Sequence, residues 1–111
     1  MTDTAAAIND IFTRMPGRLD PQAAAGLDAV IQFDLSGEGG GVWHCAIKDG
    51  ACTVGEGAHD APTMTLSMEA ADYVGLTSGE LDGTVAFMSG KLRIDGDMGL
   101  AMRMQSLFRV G

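Results

Sequence analysis

From Leu27 onward, apolar and polar side chains alternate. Ala29, Ile31, Phe33 and Leu35 fall on one side, and Val30, Gln32, Asp34 and Ser36 on the other. A period of two is the mark of a half-buried strand. The same alternation predicts strands over 42–48, 51–54, 63–67 and 91–95. Asp49-Gly50 is a strong two-residue hairpin signal between the second and third. It pairs Lys48 with Ala51 and Ile47 with Cys52. Trp43, Cys45, Ile47, Cys52 and Val54 then share one face, and His44, Ala46, Lys48 and Thr53 the other. His44 is expected on the solvated side.

The period changes to 3.6 elsewhere. Ile8, Ile11, Phe12 and Met15 follow helical spacing, opened by Asp3 or Thr4 and ended by Pro16-Gly17. Asp20-Pro21 predicts a short helix through Ala25, stopped by Gly26. Further helices are predicted over 68–77 and 81–88. Asp97 is placed to cap a last one that runs to Phe108. The step from the fourth strand through two helices to the fifth reads as a crossover, which predicts a parallel, right-handed connection.

All five strands keep their apolar side chains on one face. Helices must cover that face, which gives an α+β architecture. The expected sheet is five-stranded, mixed and mostly antiparallel. The last helix is apolar on nearly every side, through Met98, Leu100, Ala101, Met102, Met104, Leu107 and Phe108. Such a helix needs burial on several sides. Leu100, Met104 and Leu107 are expected on one side of it. Gln105 continues the stripe of Met98, Ala101 and Met102. An amide on an apolar face must find a hydrogen-bond partner.

Bulk properties narrow the function. A chain of 111 residues reads as a single domain, 1–111, and its 46% hydrophobic content is too high for disorder. No apolar run approaches the ~20 residues of a membrane span. Met1 to Asp10 has neither a basic start nor an apolar centre, so a cytoplasmic protein is expected. Net charge is −8, from 7 basic and 15 acidic residues. That argues against nucleic acid. It also limits contact with anionic membranes to transient encounters. Cys45 and Cys52 are diagonal neighbours across the hairpin, with an expected separation of ~7–8 Å. A disulfide usually spans ~4.4–6.8 Å, so two free, buried thiols are expected.

No catalytic constellation stands out. His44 and His59 lie on different elements, and two cysteines on a hairpin make no zinc site. Cys45 and His44 are adjacent on a strand and point to opposite faces, so they cannot form a nucleophile pair. The loop Gly37-Glu38-Gly39-Gly40-Gly41 fits no P-loop spacing, and no Lys-Ser/Thr follows it. Asp95 and Asp97 flank a turn, where capping accounts for them. No enzyme activity, cofactor or metal is expected.

Methionine is the residue type that points somewhere. Seven follow the first: Met15, Met64, Met68, Met88, Met98, Met102 and Met104. Methionine is flexible, polarisable and over-used on promiscuous apolar surfaces. Phe87-Met-Ser-Gly-Lys-Leu-Arg-Ile-Asp-Gly-Asp-Met-Gly-Leu-Ala-Met-Arg-Met-Gln105 resembles the C-terminal signature of the sterol carrier protein type 2 lipid-transfer domains. Lys48-Asp49-Gly50, the run from Ala61 to Met68, and Ala71-Asp72-Tyr73 fit the same family. The resemblance implies an apolar tunnel between sheet and helices. It implies a lining of Tyr73, Leu76, Val85, Met88, Met98, Ala101 and Met102, with Gln105 as a handle for the polar end. The implied partner is a lipid: a fatty acid, a fatty acyl-coenzyme A or a sterol-like ligand, bound and transferred without catalysis. The alternative is an interaction module of the same fold, whose apolar surface is buried by a second copy of the chain or by an enzyme.

Overall fold

The computed structural model describes residues 4–107, apart from the side chains at 101, 102 and 104–106. The chain runs α1 (Thr4–Arg18), β1 (Ala29–Ser36), β2 (Gly41–Lys48), β3 (Ala51–Glu56), β4 (Met64–Glu69), α2 (Ala70–Ser78), α3 (Gly83–Met88), β5 (Arg93–Gly96) and α4 (Met98–Leu107). One five-stranded sheet has the order β3-β2-β1-β4-β5. The β2–β3 hairpin turns on Asp49 and Gly50, both with positive φ (55° and 75°). Its register is the expected one, Lys48 with Ala51 and Ile47 with Cys52.

The inner face is the alternation made solid. Ile31, Phe33, Cys45, Ile47, Met64 and Leu66 are buried on it. From the helical side, Ile8, Phe12 and Met15 of α1, Ala70 and Tyr73 of α2, Ala86 of α3, and Leu100 and Leu107 of α4 close the same core. The helices thus cover one face, as the strand pattern requires.

Four expectations are corrected. β4 and β5 are antiparallel, with Leu66 opposite Ile94. The parallel pair is β1 with β4. The two helices between β4 and β5 make an out-and-back excursion, so the chain re-enters the sheet at the end it left. Second, α1 continues through Pro16 to Arg18. Met15 and Leu19, buried on either side of the proline, hold that last turn in place, and packing of this kind overrides local propensity. Third, Pro21 to Gly26 is a pair of turns rather than a helix, tied by Ala24 N–H to the Asp20 carbonyl and Leu27 N–H to the Ala24 carbonyl.

The fourth correction concerns the cysteines. Cys45 and Cys52 are joined by a disulfide, with their Cα atoms 6.2 Å apart. They are diagonal neighbours, as expected. The right-handed twist of the sheet shortens one of the two diagonals across a pair and lengthens the other, and this pair occupies the short one. Such bonds persist in oxidising surroundings and open in a reducing cytoplasm.

The outer face is less open than its polar pattern suggests. The segment from Gly57 to Thr63 crosses it on the way from β3 to β4. Gly57 N–H donates to the Val42 carbonyl (2.7 Å), and Thr63 N–H to the Val30 carbonyl (2.8 Å). His59 N–H donates to Gln32 Oε1 (3.0 Å). His44 is half-buried beneath this strap. Its Nδ1 donates to the Gly57 carbonyl (2.9 Å), and its ring meets His59 edge-on at 5.4 Å.

Candidate functional site

Tyr73 is the inward residue of α2. Its ring stacks on Phe12 (5.7 Å) and tilts against Phe33 (5.5 Å). The side chain is 3% exposed, and burial pushes its phenol well above the ordinary range for tyrosine. Leu76, one turn on, is half-buried and packs on the same core.

Asp82 starts α3. Its Oδ1 accepts from the N–H groups of Thr84 (2.8 Å) and Val85 (3.1 Å), satisfying two orphan donors of the first turn. Only one turn and a half follow, and Ala86 alone is buried. The Lys91 and Leu92 N–H groups both donate to the Ala86 carbonyl, fastening the chain that leaves the helix. The larger residues face out. Val85 is 58% exposed, Phe87 45% and Met88 81%.

Asp97 caps α4 in the expected way, through Gly99 N–H (2.9 Å) and Leu100 N–H (3.2 Å). Leu100 and Leu107 turn into the core, while Met98 is 46% exposed. The helix is tied to the turns after α1. Arg103 Nη2 donates to the Ala23 carbonyl (2.8 Å), and Asp20 N–H to the Leu107 carbonyl (2.8 Å).

The expected lining therefore falls into three groups. Tyr73 and Leu76 belong to the core layer. Val85, Met88 and Met98 stand at the surface on α3 and the start of α4. The side chains of Ala101, Met102 and Gln105, like that of Met104, lie outside the described residues.

A feature not anticipated from the sequence lies at the rim of the sheet. An open cleft of about 580 Å³ sits where β1 and β4 end, where α2 begins, and where the turn after α3 enters β5. Lys91 and Arg93 line it together with Glu69, Asp72, Ser36 and Ser67. None of these four charges belongs to an ion pair among the described residues, where Arg14 with Asp10 forms one. Glu69, at the N-cap of α2, makes no side-chain capping bond. The alternation of Lys91 and Arg93 with Leu92 and Ile94 predicts two outward strand residues; both are exposed, but only Arg93 belongs to β5, and Lys91 lies in the bend before it. Bringing them beside Ser67 takes the antiparallel β4–β5 register, which the local pattern does not carry. No cluster of three His, Cys, Asp or Glu side chains suited to a metal occurs among the described residues.

Comparison with known proteins bears on this arrangement. The SCP-2 sterol transfer family matches residues 8–109. Hydroxysteroid dehydrogenase-like protein 2 of Danio rerio is 36% identical over 104 residues, 93% of this chain but 25% of that protein. The chain thus spans about a quarter of the length of this relative. Palmitated sterol carrier protein 2-like 2 of Aedes aegypti shares the fold, with a TM-score of 0.73 at 23% identity, covering 93% of this chain and 91% of that one. The sec-alkylsulfatase Pisa1 from Pseudomonas sp. contains a similar fold, with a TM-score of 0.76 at 19% identity, over 91% of this chain and 16% of that one.

Proposed function

The chain belongs to the SCP-2 sterol transfer family, and on that premise we propose that it binds and transfers a lipid without catalysing a reaction on it. The ligand is a fatty acid, a fatty acyl-coenzyme A or a sterol-like molecule. It is held in an apolar tunnel between sheet and helices, with Tyr73, Leu76, Ala101, Met102 and Gln105 in its wall and Val85, Met88 and Met98 about its mouth. The observation that carries this reading is the set of large apolar side chains left in water on α3 and α4. Apolar surface against water costs ~25 cal/mol per Å², and a lipid chain laid against it recovers ~0.8 kcal/mol per CH₂ before binding entropy is subtracted. That the mosquito protein of the same fold is palmitated supports a ligand of this kind.

A thermal melt with and without palmitate tests it. A ligand that binds only the folded state at a hundred times its Kd adds ~2.7 kcal/mol, which raises Tm by roughly 10 °C or more in a domain of this size. No rise in Tm, together with no lipid extracted from the purified protein, rejects the reading.

A second reading rests on the size of the relatives. In hydroxysteroid dehydrogenase-like protein 2 and in the alkylsulfatase, the matching region is 25% and 16% of a longer chain. A domain attached to an enzyme would present an apolar substrate to it, or bury its apolar surface against it. Absence of lipid with a doubled mass in solution favours such an interaction module.

A further inference from the structure

We propose that α3 and the turn after it form the surface by which this protein docks on a zwitterionic phospholipid bilayer. Two independent observations meet there. The first is apolar. Val85, Phe87 and Met88 are three of the four large hydrophobic residues exposed among the described ones, and they lie within a single turn of a six-residue helix. The helix itself carries no charge.

The second observation is electrostatic. The chain has 15 acidic residues and 7 basic ones. Yet the stretch 83–94 has no acid and two bases, Lys91 and Arg93. Both are exposed, both line the rim cleft, and neither forms an ion pair among the described residues. An apolar wedge followed within a few residues by Lys and Arg suits the boundary layer of a membrane. The wedge enters the acyl region while the basic heads stay level with the lipid phosphates.

The cleft selects the headgroup. Glu69 and Asp72 line it with Lys91 and Arg93, so its charges sum to zero. Phosphate meets the basic pair and the choline or ethanolamine ammonium meets the acidic pair. A purely anionic headgroup would satisfy one pair and be repelled by the other. Asp82 stands at the start of the helix, with its Oδ1 3.1 Å from the Val85 nitrogen, but a zwitterionic bilayer, unlike one of anionic lipids, has no net surface charge to repel this acid or the net −8 of the chain. Docking there deepens the lipid-carrier reading and rests on it for its purpose, since the mouth residues Val85 and Met88 would be delivered to the bilayer that supplies the ligand.

Flotation with phosphatidylcholine vesicles tests the surface. The wild type is expected to float, and Val85→Ser with Met88→Ser to lose at least tenfold in affinity. Lys91→Glu with Arg93→Glu should lose severalfold while keeping the palmitate-induced rise in Tm. An environment-sensitive dye on Met88→Cys should shift to the blue with vesicles, and the same dye on Thr53→Cys, on the exposed outer face, should not. Vesicle binding unchanged in the double serine variant, or a dye shift at Thr53 without one at Met88, overturns the proposal. So does a doubled solution mass that the serine variant abolishes, because a second copy then covers the patch. Vesicle binding without any palmitate effect in the wild type leaves docking standing and removes the carrier reading alone.

Discussion

Phe12 of α1 lies flat on Trp43 of β2, with ring centroids 4.6 Å apart and planes within 8°. The same phenylalanine meets Phe33 edge-on at 5.1 Å and Tyr73 at 5.7 Å. One side chain of the first helix thus joins two strands and α2.

Phe12→Ala is therefore expected to be among the most damaging single changes. Removing a buried phenylalanine costs ~3–5 kcal/mol through lost transfer energy and the cavity left behind. Urea denaturation measures the loss. The fluorescence of Trp43, the single tryptophan of the chain, should change in the folded state as well. Phe12→Ala within 1 kcal/mol of wild type would show that α1 is a dispensable cover.

Tyr73 gives the chain an alkaline weakness. Burial raises its phenol above the ordinary value of about 10. Between the unfolded and the folded pKa, the native state holds a proton that the unfolded state has released. Stability contributed by the neutral phenol is thus complete below pH 10 and falls as pH rises further, at ~1.4 kcal/mol per pH unit. Tyr73→Phe should flatten this limb of the stability curve. Tyr73 is the sole tyrosine, so tyrosinate absorbance reports its ionisation directly. Ionisation of the folded protein near pH 10 would mean that the ring is not enclosed.

Unfolded without reductant, the protein should show no reactive thiol, and after reduction it should show two. The bond closes a short loop, with a sequence separation of 7. Chain entropy values such a closure at roughly 2–3 kcal/mol. Equilibrium unfolding with and without reductant measures the difference. Two thiols before reduction would contradict the bond.

Asp97→Ala should cost ~1 kcal/mol by stripping the cap from α4. Asp97→Asn, which keeps an acceptor oxygen, should recover most of it. Equal losses in the two variants would assign the effect to charge rather than to the hydrogen bonds at Gly99 and Leu100.

The strands and their inner faces were legible in the sequence because period two leaves no freedom once one face is buried. Asp49-Gly50 set the hairpin register, and Asp97 announced its own helix. The direction of β5 was not legible. It depends on whether α2 and α3 return the chain to the end it left, which no local pattern encodes. The Cys45–Cys52 contact depends on sheet twist, a property of the assembled strands. Val85 and Met88 show a further limit. An apolar side chain at a helical position asks for an apolar neighbour without saying whether that neighbour is protein, bound lipid or bilayer. Arg93 read correctly as an outward strand residue, whereas Lys91, expected on the strand, lies in the bend before β5, and the acids that share their cleft come from β4 and α2.

The strap across the outer face has a kinetic side. β1 and β4 lie side by side and run the same way, yet the chain between them must first make the whole β2–β3 hairpin and then return over Gln32 and His44. The hairpin turns on two residues and closes at little entropic expense. Joining Val30 to Thr63, 33 positions apart, fixes a much longer stretch at once, and loop-closure entropy is spent before such distant pairs are rewarded. The hairpin is accordingly expected to form early and the parallel pairing late. A change that loosens the strap, such as Gly55→Ala, whose new methyl would press on the His44 ring at 2.7 Å, should act mainly by speeding unfolding.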